Sequence, residues 1–280
     1  MWKAIISLAL TSIGQVAGQT VYLAGDSTMA PGGGGKGTEG KTISLSIHHS
    51  NQTSFVGSNT NPYSSSGWGQ YLHYSLKLPV VNKAFAGRSA RSFTREGRFD
   101  EIGTLLKKGD FVIIEFGHND GASNPDNGRS DCPGSGAETC RYTYNGETET
   151  VHTFPSYLEQ AANSYVEKGA HVLISSQTPN NPDESGVFVS STPRFVDLAK
   201  TAATNAKVDY VDHNAYTLAA YKALPVKTVD GYFPNDHTHT APRGADLVAQ
   251  AFVRGLVCGG SLLSNYAKNA TKEIEGNCLK

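Results

Sequence analysis

A histidine that works as a base needs a carboxylate to orient its ring and a hydroxyl to serve, and this chain offers both. Residues 235–240 read Asn-Asp-His-Thr-His-Thr, and residues 25–28 read Gly-Asp-Ser-Thr. In a turn, residues three apart come back toward each other, so Asp236 can accept a hydrogen bond from one ring nitrogen of His239. The other nitrogen is then free to take a proton from Ser27, with the tautomer fixed by the aspartate. His237 adjoins Asp236, its side chain diverges, and its expected role is structural or substrate-lining. A metal site at Asp236, His237 and His239 would need three or four converging ligands, and no second motif of ligand spacing accompanies them. No metal and no cofactor are therefore expected.

Acyl transfer also needs donors for an oxyanion. Polar residues follow the strand-like runs in order: Asp26-Ser27 after the first, Gly87-Arg88 after the second, Gly117-His118-Asn119-Asp120 after the third. The backbone N–H groups of Ser27 and Gly87 and the amide of Asn119 could form a three-donor oxyanion hole, with glycine at 87 leaving its N–H open to a ligand. Each has a plain rival as a turn residue; their joint occurrence at successive strand ends favours chemistry. His118 is read as a cleft-wall residue within reach of substrate. Arg88 and Arg91 stand between substrate contact and structural ion pair, whereas Arg95 and Arg98 read as a solvated helix face. Asp212-His213 is read as a helix cap followed by a surface histidine, and His48-His49 as part of a polar surface segment.

These residues must be held by a scaffold, and the apolar pattern supplies one. Runs at 21–24, 80–85, 111–116, 171–175 and 208–211 are strand-like, and helical stretches lie at 68–76, 97–107, 155–168, 192–206, 215–224 and 242–256. Pro242 suits a first helical turn, with Thr240 as a plausible cap. Continuously apolar strands alternating with helices indicate an α/β fold with a parallel sheet covered on both faces. Ligands in such sheets bind at the C-terminal strand ends.

With 280 residues and 38% hydrophobic composition the chain can bury one good core. A formal net charge of −1 implies neither a basic face for nucleic acid nor a polybasic membrane anchor. Lys3, the apolar run 4–13 and the small residues Val16-Ala17-Gly18 read as a secretory leader cleaved after Gly18. That leaves one domain over 19–280, soluble, exported and monomeric. Export suits disulfides, and Cys132–Cys140 and Cys258–Cys278 are the expected pairs because each closes a short loop. Asn51 and Asn269 head glycosylation sequons. The polar stretch at about 36–66 is long for a loop and is read as an insertion.

Gly25-Asp26-Ser27, Gly87, Gly117-x-Asn119-Asp120 and Asp236-x-x-His239 together resemble the four sequence blocks of the SGNH (GDSL-type) hydrolases. The longer strings AGDSTM, AGRSARSFTREGRF, FGHNDG, SSQTPNNP and FPNDHTHT look like the fungal rhamnogalacturonan acetylesterase branch, over Val21 to about Cys258. The resemblance implies a flavodoxin-like three-layer α/β/α sandwich with a five-stranded parallel sheet. It implies Ser27 as nucleophile, His239 as base, Asp236 as its partner, and Gly87 and Asn119 as oxyanion donors. It further implies a secreted esterase that removes acetyl groups from a pectic polysaccharide without a cofactor. The same machinery could serve another acetylated glycan or a lipid-like ester, and a glycan-binding protein without catalysis is the reading from another class. Two departures stand out: Thr28-Met29 replaces the leucine of the family's name, and the 36–66 stretch is much longer than in similar enzymes, which leaves substrate access open.

Overall fold

A strand that is apolar at every position has no face to give to water, so it must lie inside a sheet covered on both sides. The computed structural model shows that arrangement; it describes residues 18–32, 64–121, 124–268 and 276–279. Residues 1–17 of the expected leader, residues 36–63 of the expected insertion, and both sequon asparagines, Asn51 and Asn269, lie outside them.

The chain runs β1 (Val21–Gly25), α1 (Leu72–Ser75), β2 (Val80–Asn82), α2 (Ala90–Arg95), α3 (Arg98–Leu105) and β3 (Phe111–Glu115). It continues through a hairpin of β4 (Thr139–Tyr144) and β5 (Glu147–His152) to α4 (Phe154–Glu167), β6 (His171–Ser175), α5 (Arg194–Ala206) and β7 (Asp209–Val211). Three helices close it: α6 (His213–Lys222), α7 (Val226–Asp230) and α8 (Pro242–Gly259). The parallel sheet has the order β2-β1-β3-β6-β7, with Val21 opposite both Val80 and Phe111. This is the flavodoxin-like order, in which the chain leaves β1 toward one edge and later returns to its other side.

Alternate residues of each strand feed two separate cores. Tyr22, Ala24, Val112, Ile114 and Ile174 pack with Phe93, Phe99, Leu158 and Ala199 on one face. Val21, Leu23, Ile113 and Leu173 pack with Trp68, Leu72, Val248 and Phe252 on the other. Each large side chain so buried contributes about 1.5–3 kcal/mol. Met29 is fully buried in the second core and fills space beneath the first turn, whereas Thr28, at the position of the family's leucine, bonds to Asp26.

Helix starts follow local chemistry. Ser89 opens α2 with a capping box to Ser92, Thr153 accepts from the Ser156 N–H ahead of α4, and Asp212 accepts from the Ala215 N–H at the start of α6. The expected Thr240 cap of α8 is not used. Ala241 holds that position without a side-chain cap, and Thr240 Oγ1 donates instead to the Ser66 carbonyl at 3.2 Å. Two disulfides are formed, Cys132–Cys140 and Cys258–Cys278. The first ties the hairpin to the segment before it.

The reading of His213 as a surface histidine is corrected. It is 0% exposed, and its Nδ1 lies 2.7 Å from Glu115 Oε2 while Nε2 lies 2.9 Å from the Val248 carbonyl. Glu115 also accepts from Trp68 Nε1 and Ser175 Oγ. One carboxylate thus joins β3, β6, α6 and the turn before α1 inside the second core. A buried carboxylate is costly unless every acceptor position is met, which is why four elements converge on it.

Candidate active site

Ser27 is placed by a turn that starts the moment β1 ends. Asp26 Oδ1 accepts from both the N–H and the hydroxyl of Thr28, at 2.9 and 2.8 Å, closing an Asx turn. Gly25 makes room for it: a Cβ there would sit 2.7 Å from Met29 Sδ and 2.8 Å from the Glu115 carbonyl oxygen. Burial pushes the Asp26 carboxyl above its ordinary value, with the neighbouring His118 pulling it back.

The loop before α8 carries the base. Asp236 accepts from the backbone N–H groups of Thr238 and His239, both at 2.8 Å, which curls the segment into a turn. The same carboxylate accepts from His239 Nδ1 at 3.0 and 2.9 Å. With the ring proton held on Nδ1, Nε2 accepts the Ser27 hydroxyl at 2.8 Å, across 212 positions of sequence. Burial alone would raise the Asp236 carboxyl, but the His239 ring and the two backbone N–H groups outweigh it and hold the group below its usual range. Asp236 is therefore an anion wherever the ring must be oriented.

Donors stand at the neighbouring strand ends. Gly87 sits in a turn with φ of 76°, and a Cβ there would meet nothing within 4 Å. The positive φ is a conformational reason for glycine at this position. Among the described residues neither the Ser27 nor the Gly87 N–H has a partner. Asn119 Nδ2 donates to the Arg88 carbonyl at 3.2 Å, which fixes the amide against the turn that carries Gly87. Asp120, buried behind it, accepts from the Ala90 N–H at 2.8 Å and so locks the β3 exit to the start of α2.

The remaining candidates separate. His118 lines a cavity of about 360 Å³ beside Asn119, and its Nε2 lies 3.2 Å from Thr178 Oγ1. His237 is 55% exposed at its side chain and lies 3.9 Å from Glu184, whereas the ring bonded to Ser27 is that of His239. Arg91 is not available to a substrate. It is 1% exposed, pairs with Glu149 and donates to the carbonyls of Pro125 and Ser130. The Arg88 guanidinium pairs with Glu96 and the Ala86 carbonyl, so its backbone rather than its side chain faces Asn119. Arg95 and Arg98 make ion pairs with Glu149 and Glu96, as a solvated helix face would. Arg129, at the cavity rim, was not singled out by sequence; only its cationic type hinted at it.

The family model for GDSL-like lipase/acylhydrolase matches residues 21–252. A rhamnogalacturonan acetylesterase of Emericella nidulans is 48% identical over 98% of this chain and 99% of its own length. A probable rhamnogalacturonan acetylesterase of Bacillus subtilis, YesY, is 29% identical over 84% of this chain and 91% of its own. The crystal structure of Bacillus subtilis YxiM superposes with a TM-score of 0.62 at 23% identity, over 88% of this chain and 58% of that one.

Proposed function

The chain belongs to the GDSL-like lipase/acylhydrolase family and is a carboxylic ester hydrolase, and from that premise we propose that it removes acetyl groups from pectic rhamnogalacturonan. The observation that carries the mechanism is the Ser27–His239 contact of 2.8 Å with Asp236 behind the ring. Ser27 Oγ attacks the acetyl carbonyl carbon as His239 Nε2 takes its proton. The carbonyl oxygen becomes an oxyanion and accepts from the Ser27 and Gly87 N–H groups and the Asn119 amide. His239 then gives the proton to the departing sugar oxygen, leaving acetyl-Ser27 and a free hydroxyl. Water, deprotonated by the same nitrogen, attacks the acetyl group and releases acetate with Ser27 restored.

Substrate identity rests on the 48% identical relative. The test compares acetate release from acetylated rhamnogalacturonan, acetylated homogalacturonan and acetylated xylan. A kcat/KM higher by roughly tenfold or more on the first is expected; equal or greater turnover of xylan would overturn the substrate. Export is part of the proposal, supported by the leader-like N-terminus and by two disulfides that suit an oxidising compartment.

A further inference from the structure

An acidic polymer needs a cation in the cleft, and most arginines around this one already have carboxylates. Arg88 and Arg98 pair with Glu96, Arg91 and Arg95 with Glu149, and Arg194 with Asp131. Arg129 does not: among the described residues its guanidinium has no carboxylate partner, and its contact is Nη1 to Asn119 Oδ1 at 3.4 Å. Its backbone is set firmly. Asn127 Oδ1 accepts from the N–H groups of Arg129 and Ser130 at 2.7 and 3.0 Å, so the side chain projects from a fixed turn.

That side chain lines the cavity of about 360 Å³ with His118, Asn119, Gln177 and Asn180, and among the described residues neither aspartate nor glutamate lines it. Gln177 Oε1 is buried beside Gly117 without a hydrogen-bond partner. The wall therefore offers one unpaired cation and several neutral amide groups, the mixture a uronic acid residue would satisfy. Asn119 joins this cavity to the reacting centre. Its Oδ1 faces Arg129, while its Nδ2 lies against the turn that carries Gly87.

We propose that Arg129 and this cavity form a subsite for a uronate of the polymer, with the guanidinium pairing the carboxylate beside the sugar whose acetyl group is at Ser27. This rests on the proposed activity toward an acidic pectic glycan. A planar fork matches a carboxylate through two parallel hydrogen bonds, which lysine cannot reproduce.

The test is a cycle between the side chain and the substrate carboxylate. Acetylated rhamnogalacturonan oligosaccharides and the same material with its uronates reduced to neutral sugars are assayed for acetate release. Wild type is expected to prefer the carboxylate form by roughly tenfold in kcat/KM, carried by KM and narrowing as salt is added. Arg129→Met is expected to lose that preference, and Arg129→Lys to recover part of it. If wild type prefers the carboxylate form and Arg129→Met keeps the preference, the subsite is wrong while the acetylesterase reading stands. Equal losses of Arg129→Met on both substrates would also overturn it, by assigning Arg129 to the support of Asn119. Wild type that releases acetate from xylan but not from rhamnogalacturonan would overturn the substrate and the subsite together.

Discussion

His239 and His237 are two residues apart, yet the backbone gives them opposite surroundings. The turn closed on Asp236 brings the third residue back over the carboxylate and throws the first outward, so one ring lies between Asp236 and Ser27 and the other is exposed. That separation was legible from the spacing of aspartate and histidine alone, because it depends only on local turn geometry. Ser27→Ala and His239→Ala are each expected to lower kcat for deacetylation by on the order of 10³-fold or more, with the circular dichroism spectrum unchanged. His237→Ala should stay within roughly threefold of wild type; a larger loss for His237→Ala than for His239→Ala would reassign the base. The side-chain fates of the arginines were not legible. Arg88, Arg91 and Arg129 are the same residue type near the same loops, and which one lacks a carboxylate partner among the described residues depends on tertiary placement: Glu96 reaches Arg88 across 8 positions and Glu149 reaches Arg91 across 58.

At the scale of elements, the arginines of α2 show why. Arg91 and Arg95 are four apart on a helix, about 6 Å along its axis, and Tyr142 and Tyr144 are two apart on β4, about 6.8 Å. The two spacings nearly match, and each guanidinium lies over one ring, at 5.4 and 4.1 Å from the centroids, with Glu149 of β5 between them. A cluster that looked suited to an acidic ligand therefore clamps the β4–β5 hairpin onto α2. Arg91→Met is expected to cost about 2–4 kcal/mol, since it leaves two carbonyls without their donor and Glu149 with Arg95 alone. Chemical denaturation would read this as a lower midpoint at unchanged slope. Unchanged stability with a raised KM would return Arg91 to the substrate. The hairpin itself carried a readable signal. Asn145-Gly146 flanked by alternating residues is a two-residue turn, and both adopt positive φ, 52° and 84°. Its alternation is polar, with little apolar content to draw attention.

For the molecule as a whole, the buried carboxyls set the response to pH. Asp120, Asp26 and Asp131 all sit above their ordinary values, chiefly because burial disfavours the charged form. A carboxyl raised on folding binds its proton more tightly in the folded state. Stability then falls as pH rises from about 4, the unfolded value, through the folded one. Asp236 has the opposite sign, and what it contributes is lost only as pH falls below about 4. The thermal midpoint is thus expected to decline by a few degrees as pH rises above about 4. Asp120→Asn, which keeps an acceptor for the Ala90 N–H, should flatten the decline; profiles that run parallel to wild type would refute that assignment. The sequence by itself determined the layers, the parallel sheet and the polar residue at each strand end, because strand and helix periodicity and turn chemistry are local properties. It also indicated that Asp236 can accept a hydrogen bond from His239, a contact present at 2.9 Å. Only the tertiary structure decided that His213 is buried against Glu115, that Arg91 is structural and that Arg129 has no carboxylate partner among the described residues. The first two outcomes depend on which side chains the fold brings together across 98 and 58 positions of chain, and charge pairing carries no periodicity by which to read it.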